Sequence, residues 1–171
     1  MKILICGFMG AGKSTMLAKF NPNSLGFECL DLDDEIASRL GLEKEKLGNW
    51  IEQNGWEKFR KIESQCLQEL LVLNQNLVIA LGGGALTKEL VFKIKNNPEI
   101  YLVHLDVPLE ICLDRTMGDL NRPMLKLNKA EIESLYQKRH EIFSQAHLSL
   151  SFEEIKLIEG LETLVHNLSC R

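Results

Sequence analysis

Short apolar runs alternate with amphipathic stretches along the whole chain. Ile3-Leu4-Ile5-Cys6, Glu28–Leu32, Leu77–Leu81 and Ile100–Leu105 read as strands, and Leu148–Ser151 as a shorter one. They are apolar on both faces, the signature of strands covered above and below. Between them lie helical patterns. Lys13–Phe20 is stopped by Asn21-Pro22-Asn23, and Asp34–Leu40 ends at Gly41. Trp56–Leu73 keeps Phe59, Ile62, Cys66, Leu70 and Leu73 on one face. Thr87 caps a helix through Lys95, Pro108 opens one to about Thr116, and Lys129–Ala146 and Leu161–Leu168 close the chain. Glu43–Lys46 is a polar stretch leading to Trp50-Ile51 and a break at Gly55, and residues 117–127 form a polar loop around Arg122-Pro123. Strands alternating with helices predict one α/β domain over residues 1–171: a parallel sheet with helices on both faces. Ligands of such sheets bind beyond the carboxyl ends of the strands.

Three unusual features fall on that edge. The first strand empties into Gly7-Phe8-Met9-Gly10-Ala11-Gly12-Lys13-Ser14-Thr15, a P-loop pattern set between strand and helix. Its glycines let successive N–H groups turn inward around phosphate oxygens. Lys13 supplies a charge for the β- and γ-phosphates, and the Ser14 hydroxyl is a natural Mg²⁺ ligand. The second strand runs into Asp31, Asp33 and Asp34. Alternation in an extended segment puts Asp31 and Asp33 on one side, where a phosphotransferase needs one carboxylate near the metal and one for the acceptor hydroxyl. The competing reading is helix capping by Asp33 or Asp34. The third strand ends in Gly82-Gly83-Gly84, more glycine than a turn requires, which suggests close approach to the backbone. Arginines default to solvated surface, but Arg122 sits in the loop where an arginine would close over transferring phosphate.

Composition narrows the partners. The net charge of −4 gives nucleic acid no support as the main partner. No apolar run approaches membrane length, and the chain enters a strand at once without a signal-type segment. The five cysteines are scattered, without metal-type pairing, and suit core packing in a reducing compartment. A cytoplasmic, monomeric protein with neither membrane nor nucleic acid as partner is expected.

The chain resembles the shikimate kinase family from end to end. The matching pieces occur in the family's order: GFMGAGKST, DLDDEI, FRKIE from Phe59 to Glu63, LGGGA from Leu81 to Ala85, NRPML from Asn121 to Leu125, then Arg139 with Phe143 and Ala146. The resemblance implies a three-layer α/β/α P-loop kinase fold with a five-stranded sheet in the order 2-3-1-4-5, and ATP-dependent phosphorylation of the 3-hydroxyl of shikimate, a step towards the aromatic amino acids. It implies that Gly10, Ala11, Gly12, Lys13, Ser14 and Thr15 hold ATP, with Arg115 against adenine and Arg122 as the lid arginine of residues 117–127. Asp33, Arg60, Gly83 and Arg139 would hold shikimate, the arginines on its carboxylate and Asp33 on its ring hydroxyls. Lys13, Asp33 and Arg122 would carry the chemistry, and Mg²⁺ would take Ser14 directly and Asp31 through water. Residues 34–63 would form the acceptor-binding region. The chain departs from the family in having Gly55-Trp56 where Gly-Glu is usual, a longer stretch between Gly41 and Trp50, a first helix cut short by Asn21-Pro22, and no match for the second adenine-contacting loop at Ser151–Lys156.

Three rivals remain. A kinase of another polyol acid, such as gluconate, would share the P-loop without requiring Asp33, Arg60, Gly83 and Arg139 together. A GTPase-type switch would use Asn128-Lys129-Ala130-Glu131 to read guanine, although that segment ends in Glu and no Asp-x-x-Gly occurs in the chain. A kinase homologue kept for binding or regulation would show no turnover.

Overall fold

The computed structural model describes residues 1–20, 24–116 and 127–170. The strands are β1 (Lys2–Cys6), β2 (Phe27–Asp31), β3 (Asn76–Ala80), β4 (Ile100–Asp106) and β5 (Leu148–Ser151). They form one parallel sheet in the order β2-β3-β1-β4-β5, as the resemblance implied. Strand β1 takes the centre because every one of its residues is buried. Its side chains alternate between two cores, Ile3 and Ile5 on one face of the sheet and Leu4 and Cys6 on the other.

The helices are α1 (Lys13–Lys19), α2 (Leu32–Arg39), α3 (Leu47–Asn54), α4 (Trp56–Val72), α5 (Lys88–Lys95), α6 (Leu109–Thr116), α7 (Lys129–Phe143), α8 (Phe152–Leu157) and α9 (Leu161–Ser169). Met16 of α1, Cys112 of α6 and Leu164 of α9 cover the face of Ile3 and Ile5. Ile36 of α2, Ile51 of α3, Leu67 of α4 and Ile94 of α5 cover the opposite face. Helix α7 ties the two together, with Ile132 in one core and Phe143 in the other.

Several boundaries differ from the sequence reading. Helix α2 starts at Leu32, ahead of the expected Asp34, because Asp31 is its N-cap and its Oδ1 accepts the Asp33 N–H at 3.0 Å. Asp31 and Asp33 therefore do not share a face by strand alternation; one ends a strand and the other begins a helix. The stretch after Gly41 holds a 3₁₀ turn, Lys44–Lys46, and then α3, whose buried Leu47 and Ile51 lie one turn apart. Helix α8 was not expected at all. A reciprocal cap starts it, with the Ser151 side chain on the Glu154 N–H and the Glu154 carboxylate on the Ser151 N–H. Helix α7 ends at Phe143, short of Ala146.

Asn128 and Glu131 form another reciprocal cap, at the head of α7. The side chains that a guanine-reading motif would spend on a base are spent on a helix terminus. Cys6, Cys66 and Cys112 are buried, Cys29 is half-buried and Cys170 exposed, all as free thiols. Among the described residues no helix is long and apolar enough to cross a membrane. The expected helix stop at Asn21–Asn23, and Arg122 with most of the 117–127 loop, lie outside the described residues.

Candidate active site

A cleft of about 880 Å³ runs along the carboxyl edge of the sheet. Gly10, Ala11, Gly12, Lys13, Ser14, Thr15, Asp31, Asp33, Arg60, Gly83, Arg115 and Arg139 all line it, so every proposed site residue within the described regions meets there. Arg122 lies outside them.

The P-loop closes one end. Gly10 and Gly12 have φ of +78° and +94°, a conformation that side chains disfavour. A Cβ on Gly10 would also run into the Cys112 carbonyl of α6, so this loop has its shape only with glycine. Lys13 Nζ donates to the Gly7 and Phe8 carbonyls at 2.9 and 3.1 Å, which lays the ammonium across the loop. Arg115, in the last turn of α6, donates to the Gly10 carbonyl at 3.3 Å and lies 5.1 Å over the Phe152 ring. Lys156 lies on the same ring at 4.2 Å. Helix α8 thus supplies a wall beside the P-loop, with Phe152, Ile155 and Lys156 facing the cleft. The sequence reading left this wall unassigned, although the Ser-x-x-Glu spacing of Ser151 and Glu154 signals the helix that builds it.

At the mouth of β2, Ser14 Oγ donates to Asp31 Oδ2 at 2.7 Å. Burial pushes the Asp31 carboxyl up, but hydrogen bonds from Ser14, Lys44 and the Asp33 N–H outweigh it and hold the group below the usual carboxylate range. A hydroxyl and an ionised carboxylate converging on one point are hard oxygen donors of the kind Mg²⁺ takes. Among the described residues no three His, Cys, Asp or Glu side chains cluster as a metal cage.

The far end of the cleft is built from α4, β3 and α7. Arg60 Nη1 pairs with Glu63 Oε2 at 2.5 Å, one helical turn on, and its guanidinium lies 4.9 Å over the Trp56 ring. The indole, where a carboxylate is usual, is thus a platform for the arginine. Glu63 is 2% exposed, and its Oε1 has no hydrogen-bond partner among the described residues. A Cβ on Gly82 would stand 2.7 Å from that oxygen and 3.0 Å from Asp33 Oδ1, and one on Gly84 would collide with Arg60. Among the described residues nothing stands within 4 Å of a Cβ built on Gly83. The triple glycine therefore does two jobs: its flanks let acids and arginine pack against backbone, and its middle leaves backbone open to the cleft.

Charge is concentrated here. Burial, then the Asp31 charge, pushes the Asp33 carboxyl up against the pull of Lys44, Lys13 and Arg60. Burial also raises Glu63, opposed chiefly by Arg60. Arg139, partly buried on α7, is lowered by burial and then by the like charge of Arg60. The two arginines are thus electrostatic neighbours in the folded chain. Glu63 belongs to the FRKIE segment but carries no role in the sequence reading. Its i,i+3 spacing from Arg60 on a helix is the signal that finds it.

A P-loop on a five-stranded parallel sheet, facing an arginine- and carboxylate-lined pocket across one cleft, defines an ATP-dependent small-molecule kinase. The shikimate kinase family model matches residues 9–168. A shikimate kinase of Persephonella marina is 38% identical over 152 residues, 88% of this chain and 88% of that protein. One from Aquifex aeolicus is 32% identical over 154 residues, covering 90% and 88%. Among solved structures, Acinetobacter baumannii shikimate kinase in complex with shikimate superposes with a TM-score of 0.79 at 30% identity, covering 97% of this chain and 93% of that one. The Aquifex aeolicus enzyme gives 0.74 at 30% identity, covering 98% of both. This chain belongs to the shikimate kinase family.

Proposed function

We propose that this chain transfers the γ-phosphoryl group of ATP to the 3-hydroxyl of shikimate. The observation that carries the reading is the single cleft with a phosphate loop at one end and Arg60, Arg139, Asp33 and Glu63 at the other. Arginine forks match a carboxylate in two-point geometry, and a carboxylate beside them suits hydroxyl groups on the same small molecule. Arg60 and Arg139 grip the shikimate carboxylate, Glu63 holds the Arg60 fork in place, and the Gly83 backbone and Asp33 meet the ring hydroxyls.

Transfer rests mostly on alignment and charge. Lys13 swings from its loop carbonyls onto the β- and γ-phosphates, and the P-loop N–H groups hold the remaining oxygens. Ser14 and, through water, Asp31 would hold Mg²⁺, which would supply neutralisation of phosphate charge. Asp33, made less acidic by its burial and by Asp31, orients the acceptor hydroxyl and takes its proton. Arg115 and Phe152 flank the adenine. On the sequence alone, Arg122 is the arginine that meets the moving phosphoryl group, within a lid over 117–127, and 34–63 is the acceptor-binding region. The same reading has the enzyme work as a cytoplasmic monomer, with neither nucleic acid nor membrane as partner.

The test is ADP release coupled to a spectrophotometric assay, with shikimate, quinate and gluconate offered separately. Sustained release with shikimate and none with gluconate is expected. Gluconate turnover at a comparable rate overturns the acceptor, and no release with any acid points to a binding protein.

A further inference from the structure

The seam between the two halves of the cleft is held by a residue that neither half requires. Lys44, in the turn Lys44–Lys46, places its ammonium 2.9 Å from Asp31 Oδ2 and 3.0 Å from Asp34 Oδ2. Asp31 Oδ2 is the oxygen that also accepts from Ser14, and Oδ1 is committed to the α2 cap. Every part of the carboxylate that Mg²⁺ would address is therefore engaged, and the competing cation is attached to the chain itself. We propose that Lys44 is a tethered counter-ion of Asp31 that a metal–nucleotide displaces, and that it thereby sets how strongly nucleotide binding depends on the divalent cation. The proposal rests on reading the cleft as a nucleotide site.

The geometry supplies both positions of this exchange. The Asp31 side chain is only 11% exposed, whereas that of Asp34 is 55% exposed and points outward. An ammonium on a flexible stem can leave the inner carboxylate and stay paired with the outer one. The turn that carries it lies just past Gly41 and places no buried residue in either core. The charges also act in one direction. With the ammonium gone, Asp31 and Asp34 repel metal-free ADP and attract a divalent cation more strongly. The advantage that metal gives to nucleotide binding must grow. Lys46 provides a matched control, having the same charge in the same turn but paired at 2.9 Å with Glu43 in solvent.

The experiment is titration calorimetry of ADP, with saturating Mg²⁺ and with the metal chelated, on the parent, Lys44→Met, Lys46→Met and Asp34→Asn. The quantity read is the factor by which Mg²⁺ tightens ADP binding. In Lys44→Met the factor is expected to rise roughly five-fold or more, the scale of a partly shielded ion pair. In Lys46→Met it should stay at the parent value. Asp34→Asn removes the outer resting place and should lower the factor, and Lys44→Gln, which also removes the ammonium, takes the place of Lys44→Met if that variant does not fold. An unchanged factor in Lys44→Met, or an equal rise in Lys46→Met, overturns the displacement. If the parent binds no ADP at all, the nucleotide reading fails and this proposal fails with it. If the parent binds ADP and the factors do not move, only the role of Lys44 is lost.

Discussion

At the scale of single residues, the acceptor end of the cleft makes the strongest commitments. Asp33 has to be ionised to take a proton, and burial with the Asp31 charge raises its pKa. Activity then falls as pH drops through a value above the ordinary carboxylate range near 4, and kcat/KM against pH should show that acid limb. Asp33→Asn should cost about 10²–10⁴ in kcat, the span of a lost general base. Arg60→Lys and Arg139→Lys should each raise the KM for shikimate, since an ammonium cannot reproduce a planar fork. A loss of about 2–5 kcal/mol is expected, roughly thirty-fold to several thousand-fold, with the KM for ATP nearly unchanged. Steady-state kinetics of the two variants checks this, and parent-like handling of shikimate by both removes the carboxylate clamp. In the sequence, Asp33 stands out as one of the aspartates that follow an apolar run and Gly83 as part of a glycine run, whereas Arg60 and Arg139 read as surface arginines and take their assignment only from the resemblance to the family. The crowding of Glu63 and Asp33 around Gly82 is not legible there, because it depends on how α2, α4 and β3 come together in space.

At the scale of elements, the outcome divides by what sets each boundary. Strands β1, β3 and β4 are apolar runs with polar or glycine ends, and the sequence pattern locates them almost to the residue. Helix α2 was misplaced because Leu32 continues the apolar pattern of the strand. The cap on Asp31, not hydrophobicity, decides where the helix starts. Helix α3 was missed because only Leu47 and Ile51 of its residues are buried, too few to stand out from the polar stretch before it. Helix α8 has no fully buried residue, so beside the partial packing of Phe152 and Ile155 against the core it depends on its capping box. Ser151→Ala should therefore destabilise it by about 1 kcal/mol. Because Phe152, Ile155 and Lys156 ride on this helix, the KM for ATP should rise severalfold while the KM for shikimate stays put. A matching rise in both would place α8 outside the nucleotide wall.

For the whole molecule, the two cores meet across β1 and β4, and the histidine at that junction should govern acid stability. His104 on β4 is 3% exposed, with its Nδ1 3.0 Å from Ser149 Oγ and its ring against Phe143 and His140. Burial pushes its imidazole down to about 4, against the pull of Asp106 and helped by His140. An unfolded chain binds that proton near 6.5. The sign follows from the lowered value: the stabilising contribution is complete above pH 6.5 and is lost as pH falls through 4, because the unfolded state takes the proton first. The difference amounts to about 3 kcal/mol, a large part of the net stability of a domain of this size. Urea unfolding of the parent at pH 7 and pH 4 should show that loss on top of the carboxylate contributions. In His104→Gln, which keeps a polar group near Ser149 but has nothing to titrate, the drop between the two pH values should shrink by about 3 kcal/mol, even if the variant starts less stable. An equal drop in parent and variant would mean that His104 does not set the acid limit, and that the carboxylates of the cleft, Asp31 above all, carry it instead.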